Sequence, residues 1–465
     1  MIHLRTLVLT SILSLSAWSS VADVNSASTN TPASDRPNII IILTDDLGWA
    51  DISLNGNELI KTPNIDRIGR EGIQLTSFYA GSNVCTPSRA ALLTGRYPVR
   101  TGMQHVVYPQ STDGLSASEI TIAEIVKTRD YATKMIGKWH LGHYDAFWPT
   151  NQGFDSFYGV AYSNDMKPFD LYKDKTVIQS PADQKQLTRM YSAEAEEFIA
   201  AHADQPFLLY VAENAPHAPL LVPDEVAGQS QAGLYGDVVE ELDRGVGQIL
   251  DAVDRAGIAD NTLIIFTSDN GPWFEGDTGG LRDRKGGTYE GSYRVPMLAR
   301  WPGKIAPGSV SDQMTMAIDL LPTIARISGA QLPDDRVIDG RDLTGLLSGA
   351  AEPIHETLFF FNGDDIVGIR NDRFKLVLNQ YYRNFYVPLE VYGATMLFDL
   401  VTDPSERFSF MREQPGVAAH LLAQVNKLRE EIEPMRREAY NPFKPSNPDA
   451  PIGPQLTSDV AVGAD

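Results

Sequence analysis

Long apolar runs that stop at polar or charged residues set the rhythm of this chain. Asn38-Ile39-Ile40-Ile41-Ile42-Leu43-Thr44 is continuous and β-branched, and it ends in Asp45-Asp46. A continuous run of this kind, without polar alternation, suits a strand buried on both faces of a sheet. Three more runs repeat the theme. Residues 131–136 lead into Gly137-Lys138-Trp139-His140, residues 206–212 lead towards His217, and residues 262–268 end in Asp269-Asn270. Between them lie amphipathic stretches. The clearest is 236–256, where Val239, Leu242, Val246, Ile249, Leu250 and Val253 share one helical face and Gly257 is a stop signal. Strands alternating with helices predict an α/β fold. Ligands in such sheets bind beyond the carboxyl ends of the strands. Four strands with polar endings therefore predict one shared site.

The pattern changes near residue 352. Residues 358–361, 366–370, 374–378 and 396–400 read as short antiparallel strands, and 418–437 as a helix. The predicted organisation is a large unit over 37–351 and a smaller one over 352–440. Repeated Pro and few large apolar residues make 441–465 an extended tail. At the other end, Arg5 precedes an apolar stretch over 7–18, followed by Ser20-Val21-Ala22. This reads as a signal peptide over 1–22, with a flexible polar leader over 23–36. The stretch is too short for a comfortable membrane span, and no later segment is long and apolar enough for one. The expectation is a secreted protein with no stable membrane anchor. The lack of disulfides and of any Asn-x-Ser/Thr sequon points to a bacterial periplasm.

A net charge of -21 argues against a nucleic-acid partner, which would call for a basic face. It also repels anionic substrates at long range, so local cations must dominate any site that takes one.

Cys85 is the only cysteine among the 465 residues. Such a residue is ordinarily a small buried hydrophobe. Its neighbours are Thr86-Pro87-Ser88-Arg89-Ala90-Ala91-Leu92-Leu93-Thr94-Gly95. Thr86 is expected to cap a helix, with Pro87 at its first position and Gly95 at its end. Cys85 then lies at a helix N-terminus, where partial positive charge favours a thiolate or a bound anion.

The run from Cys85 to Gly95 closely resembles the first signature of the sulfatases, whose cysteine is oxidised to formylglycine. Gly137-Lys138-Trp139-His140-Leu141-Gly142 resembles the second. Asn83 and Asp130 depart from that pattern, where the family usually has a small residue and Gly. The likeness extends in order through Asp45-Asp46, Asn214-Ala215-Pro216-His217, Ser268-Asp269-Asn270-Gly271, and Lys285 before Tyr289-Glu290-Gly291. Residues 145–166 are similar to the arylsulfatase A and N-acetylgalactosamine-6-sulfatase branch.

The resemblance implies an alkaline phosphatase-like fold: a large mixed sheet flanked by helices, followed by a C-terminal domain of antiparallel sheet plus helix. It implies hydrolysis of sulfate monoesters of aryl or carbohydrate compounds, after a formylglycine-generating enzyme has converted Cys85. It implies one Ca²⁺, in preference to Mg²⁺, held by Asp45, Asp46, Asp269, Asn270 and an oxygen of converted Cys85. All of these are hard donors that suit such ions and not zinc. By the family pattern Arg89 and Lys138 fix the formylglycine, and Lys138, His217 and Lys285 bind the sulfate. His217 and Lys285 also flank the leaving oxygen, His140 takes a proton during sulfate release, and Asp269 accepts one from the attacking hydroxyl. Asn164 and Asp165 are candidate sugar contacts or simply a turn. Residues 381–386, rich in Tyr and Phe, stack on sugars or pack the second domain. Lys127, Arg129 and Lys134 read as a solvated cluster, and 282–284 as an ordinary charged loop. Two other readings stay open: a phosphoesterase or phosphonate hydrolase of the same fold, and a sulfated-glycan-binding protein without maturation.

Overall fold

The Asn38–Thr44 strand lies in the middle of a ten-stranded sheet. In this computed structural model residues 36–350, 352–382 and 385–436 are described. The signal peptide, nearly all of the leader and the tail lie outside them. The strand order is Ser309–Ser311, Ile73–Leu75, Met297–Arg300, Thr262–Ser268, Asn38–Thr44, Phe207–Ala212, Ala132–Lys138, Ser156–Val160, Leu171–Lys173 and Thr176–Gln179. The five strands from Thr262–Ser268 to Ser156–Val160 are mutually parallel. Antiparallel pairing begins on either side of them, at Met297–Arg300 and Leu171–Lys173.

The apolar runs follow from this placement. Ile39, Ile41 and Leu43 enter the core on one face of the sheet, and Ile40 and Ile42 enter the core on the other. The Gly233–Arg255 helix buries Val239, Val246, Ile249, Leu250 and Val253 in the second of these cores. Register then aligns the strand ends. Thr44 pairs with Ser268, and Ala212 pairs with both Leu43 and Gly137. Gly137 has φ 99°, and a Cβ there would lie 1.9 Å from the Ala212 carbonyl oxygen. Only glycine lets these two strands meet.

Residues 358–399 supply a four-stranded antiparallel sheet of Leu358–Asn362, Asp365–Arg370, Phe374–Val377 and Met396–Asp399. The helix beside it runs Pro415–Ile432, starting three residues earlier than predicted and ending five earlier. Pro415 takes an early helical position, which suits its fixed φ, and Pro434 cannot supply the next ladder donor. The smaller sheet shares its core with the larger unit: Tyr79, Tyr97, Tyr293 and Met316 pack with Leu358, Phe360, Ile369 and Leu421. Tyr381 joins the edge of that core, and its hydroxyl donates to Asp365 at 2.8 Å.

Beneath this shared core sits a buried ionic cluster. Lys375 Nζ is 3.1 Å from both Glu290 Oε1 and Glu406 Oε1. The Glu290 backbone N–H donates to Glu406 Oε2 at 2.7 Å, and Tyr79 donates to Glu290 Oε2 at 2.6 Å. Burial opposes ionisation of Glu290, but Lys375, Arg370 and Arg294 outweigh it and hold the carboxyl at about 2. Burial wins at Glu406 and pushes it up to about 7. Removing the lysine takes the ion-pair partner from buried Glu406 and leaves Glu290 with only the more distant Arg370 and Arg294. Lys375→Met is therefore expected to lower stability by about 3–5 kcal/mol, read from urea midpoints. A change below about 1 kcal/mol would contradict the role of this cluster.

Candidate functional site

The carboxyl ends of the parallel strands carry the predicted polar groups into one cluster. Asp45 follows the central strand, and its Oδ2 accepts from Lys138 Nζ at 2.6 Å. Asp269 follows the neighbouring strand, and its Oδ2 accepts from Arg89 Nε at 2.9 Å. The second guanidinium arm, Nη1, donates to the Lys138 carbonyl at 2.7 Å. Arg89 thus braces two strand ends from the helix that carries Cys85, and it is fully buried while doing so. Asp46 Oδ1 accepts from Asn270 Nδ2 at 2.7 Å and from Lys285 Nζ at 2.6 Å. The same lysine reaches Cys85 Sγ at 3.1 Å, and Sγ lies 3.5 Å from Asp45 Oδ1. Asp46 and His140 both have positive φ, 67° and 60°. Left-handed backbone at two non-glycine residues beside one cluster is the strain expected of a functional site.

Two local expectations fail. Val84, not Thr86, is the N-cap, and Cys85 is the first residue of the Cys85–Thr94 helix. The Thr86 hydroxyl instead donates to the His140 carbonyl at 2.9 Å and accepts from the Val107 N–H at 3.3 Å. A tertiary bond has taken the side chain that a local cap would have used. Nor does the helix start lower the pKa of the Cys85 thiol. Burial pushes its thiol up to about 12, against the pull of Lys138 and Lys285 and with the help of Asp45 and Asp269. Desolvation is the largest influence on the thiol. Lys134 also departs from the predicted solvated cluster: it is mostly buried and pairs with Glu194 at 2.5 Å.

The remaining charges follow their surroundings. At Asp45 burial raises the pKa, yet Lys138, His217, Arg89 and Lys285 together hold the carboxyl well below its usual range. At Asp269 burial and the charge of Asp45 win, and the carboxyl rises to about 6. Burial, aided by Lys138 and Arg89, holds His140 well below the ordinary histidine value. Its Nε2 bonds the Val107 carbonyl at 3.0 Å, so the proton sits there. His140 Nδ1 is buried and has no hydrogen-bond partner among the described residues. Lys285 stays protonated: burial opposes its charge, but Asp46 and its neighbours raise it well above the usual lysine value.

Asp45, Asp46, Cys85 and His217 bring ligand atoms within 4.8 Å of one another. Asn270 Oδ1 is buried without a partner close by, on the residue whose amide already bonds Asp46. Asp269 Oδ1 accepts from the Asp46 N–H at 3.2 Å. Carboxylate and amide oxygens of this kind fit a hard divalent cation, and the orphaned Asn270 oxygen calls for one. Three carboxylates already face Arg89, Lys138 and Lys285.

The cluster forms the floor of a cleft of about 480 Å³, where Asp46, Cys85, His140, Ser163, His217 and Lys285 are accessible. Asp165 lines its wall. Asn164 lies behind the wall, and its amide donates to the His217 carbonyl at 3.1 Å. The 381–386 segment does not line this cleft as far as it is described. Three contributors escape a reading of the sequence. Ser163 Oγ lies 3.2 Å from Lys138 Nζ and 3.3 Å from His217 Nε2, inside the 162–166 segment whose Asn and Asp seemed the better candidates. Arg284 donates to the Trp273 carbonyl at 2.8 Å. Asp51 accepts from the N–H groups of Gly48 and Asp277 at 2.6 and 2.8 Å, tying the Asp45-Asp46 loop to the one bearing Trp273. No sequence signal marks Asp51 or Arg284.

A helix-start residue facing strand-end carboxylates and buried cations, on this mixed sheet, defines an alkaline phosphatase-like hydrolase of anionic esters. The Sulfatase family model matches residues 37–330, and the model for the N-sulphoglucosamine sulphohydrolase C-terminal region matches 280–436. The chain belongs to the sulfatase family and is a sulfuric ester hydrolase of the arylsulfatase type. It is 36% identical to human (Homo sapiens) arylsulfatase A over 446 residues, covering 84% of this chain and 87% of the relative. It is 37% identical to N-acetylgalactosamine-6-sulfatase of Mus musculus over 429 residues, covering 81% and 82%. Among solved structures, the PsFucS1 sulfatase from Pseudoalteromonas sp. superposes with a TM-score of 0.80 at 27% identity, over 88% of this chain and 92% of that one.

A raised thiol pKa has a direct consequence for unconverted protein. Iodoacetamide labelling of Cys85 in the native state should be slow at pH 8 and still climbing at pH 10, because the thiolate fraction grows only as pH approaches the raised value. A plateau below pH 8 would show a depressed pKa instead.

Proposed function

We propose that the chain hydrolyses sulfate monoesters of aryl or carbohydrate compounds through a formylglycine made from Cys85, with one Ca²⁺ held by Asp45, Asp46, Asp269, Asn270 and an oxygen of the converted residue. The observation that carries this is the place of Cys85. It is the first residue of its helix and lies at the floor of the cleft, 3.1 Å from Lys285 Nζ and 3.5 Å from Asp45 Oδ1. A thiol there is a soft donor among hard ones, which an oxygen-bearing converted residue would not be. Once formed, a hydrated aldehyde at this position would supply one hydroxyl to attack sulfur, displacing the alcohol and taking the sulfate, and a second that loses its proton and collapses to the aldehyde, breaking the C–O bond to the transferred sulfate. Calcium, when bound, polarises the sulfate oxygens.

The other roles fall to residues of the chain. Lys138 and Lys285 place two ammonium groups beside position 85, and Arg89 holds the strand ends that carry Asp269 and Lys138. They supply the local positive field that an acidic protein otherwise lacks. His217 is the proton donor to the leaving oxygen, with Lys285 opposite. Its Nδ1 bonds the Ala218 carbonyl at 2.6 Å, which leaves Nε2 towards Ser163 and Asp46. The unpartnered Nδ1 of His140 is the proton acceptor during sulfate release, and Asp269 serves the attacking hydroxyl. Asp165 contacts the substrate beyond the ester, and Asn164 acts through the loop of His217. A formylglycine-generating enzyme is a required partner, and the apolar N-terminal stretch supports export to a bacterial periplasm. No helix of the described residues is long and apolar enough to cross a membrane.

Cys85→Ala should retain the fold and lose at least about a thousandfold in aryl sulfate turnover, while mass spectrometry of active wild-type protein finds formylglycine at position 85. Robust sulfatase activity in the variant would overturn the mechanism, and faster cleavage of phosphate than of sulfate esters by converted protein would favour the phosphoesterase reading. Asp269→Ala should lose calcium, measured by elemental analysis, together with activity. An active variant without metal would refute the ligand set.

A further inference from the structure

The reactive groups occupy only the buried floor of the cleft. Above them the wall is built from Val106, Tyr108, Met166, Ala218, Pro219 and Trp273, with Asp165 as the only charged wall residue among those described. Lys285, the one lysine or arginine lining the cleft among the described residues, belongs to the floor and is already engaged with Asp46 and position 85. A second anionic group placed one ring away from the sulfate would leave water for an apolar surface and an exposed carboxylate, with no wall cation to receive it. The net charge of -21 adds long-range repulsion of the same sign. A neutral ring gains instead, since its flat face covers Trp273 and Met166 while its hydroxyls can donate to Asp165.

We propose that the substrate class is a monosulfate carried on an otherwise uncharged, flat-faced ring, aryl or neutral sugar, and that Asp165 together with the apolar wall excludes esters bearing a second anionic group near the sulfate. This rests on the sulfate-ester reading and narrows it. The wall acts on the part of the substrate that does not react, so its effect falls mainly on KM.

The test uses the converted, calcium-loaded enzyme and two esters that differ by one charge: 4-methylumbelliferyl sulfate and its 3-carboxymethyl analogue. The monoanionic ester, whose ring is uncharged, should show about tenfold or greater advantage in kcat/KM. Asp165→Lys should erase most of that advantage, and Asp165→Asn should reduce it by a smaller factor while keeping the side chain's shape. Trp273→Ala should raise KM for the monoanionic ester several-fold. Equal efficiency on the two esters, an unchanged preference in Asp165→Lys, or an unchanged KM in Trp273→Ala would overturn the proposal. Hydrolysis of neither sulfate ester, with phosphate esters cleaved, would strike the underlying sulfate-ester reading instead.

Discussion

Charge balance without water is the constraint on which this molecule turns. Asp45, Asp46 and Asp269 leave adjacent parallel strands at nearly the same level and are almost wholly buried. Unpaired, they could not remain ionised there. Arg89, Lys138 and Lys285 make them tolerable, each with a charge-assisted bond of 2.9 Å or less. The arrangement also explains why a strongly acidic protein can receive an anion. Arg89, Lys138 and Lys285 lie where the dielectric is low and their field is least screened.

That balance decides what Cys85 is. A helix start alone would favour the thiolate, but the thiol sits in a desolvated cluster beside carboxylates, and burial prevails. The same cluster dictates unusual backbone at Asp46 and His140, whose left-handed conformations aim side chains back towards the site, and it demands glycine at 137, where two strands meet too closely for any Cβ.

The C-terminal sheet belongs to the same logic. Its Lys375 reaches across to Glu290, five residues beyond Lys285, and Glu406 binds the backbone of Glu290. Arg282, three residues before Lys285, stacks over Tyr289 at 3.6 Å and donates to the Glu406 carbonyl. The segment that presents Lys285 to the cleft is therefore held from the C-terminal side. What reads as a charged loop in the sequence is fastened to the C-terminal sheet and the residues after it.

Much of the fold was legible because burial on both faces leaves a plain mark: continuous β-branched runs at 38–44 and 262–268, a one-sided helix near 236–256, and short alternating strands after 358. Asp45, Asp46, Cys85, Lys138, His217, Asp269 and Lys285 could be named in advance because ordered motifs carry them, and strand-end logic explains why they meet. Ser163, Asp51 and Arg284 could not, since each works through one or two hydrogen bonds to distant backbone or side chains, and no local pattern encodes such a bond. The sequence by itself determined the α/β class, the strand-end cluster and the family, because hydrophobic period and motif order are properties of the chain. Only the tertiary structure decided that Val84 is the N-cap, that Thr86 turns to His140, that burial raises the pKa of the Cys85 thiol, and which face of the cleft is apolar. Those outcomes depend on desolvation and on partners far apart in the chain, and both exist only once it has folded.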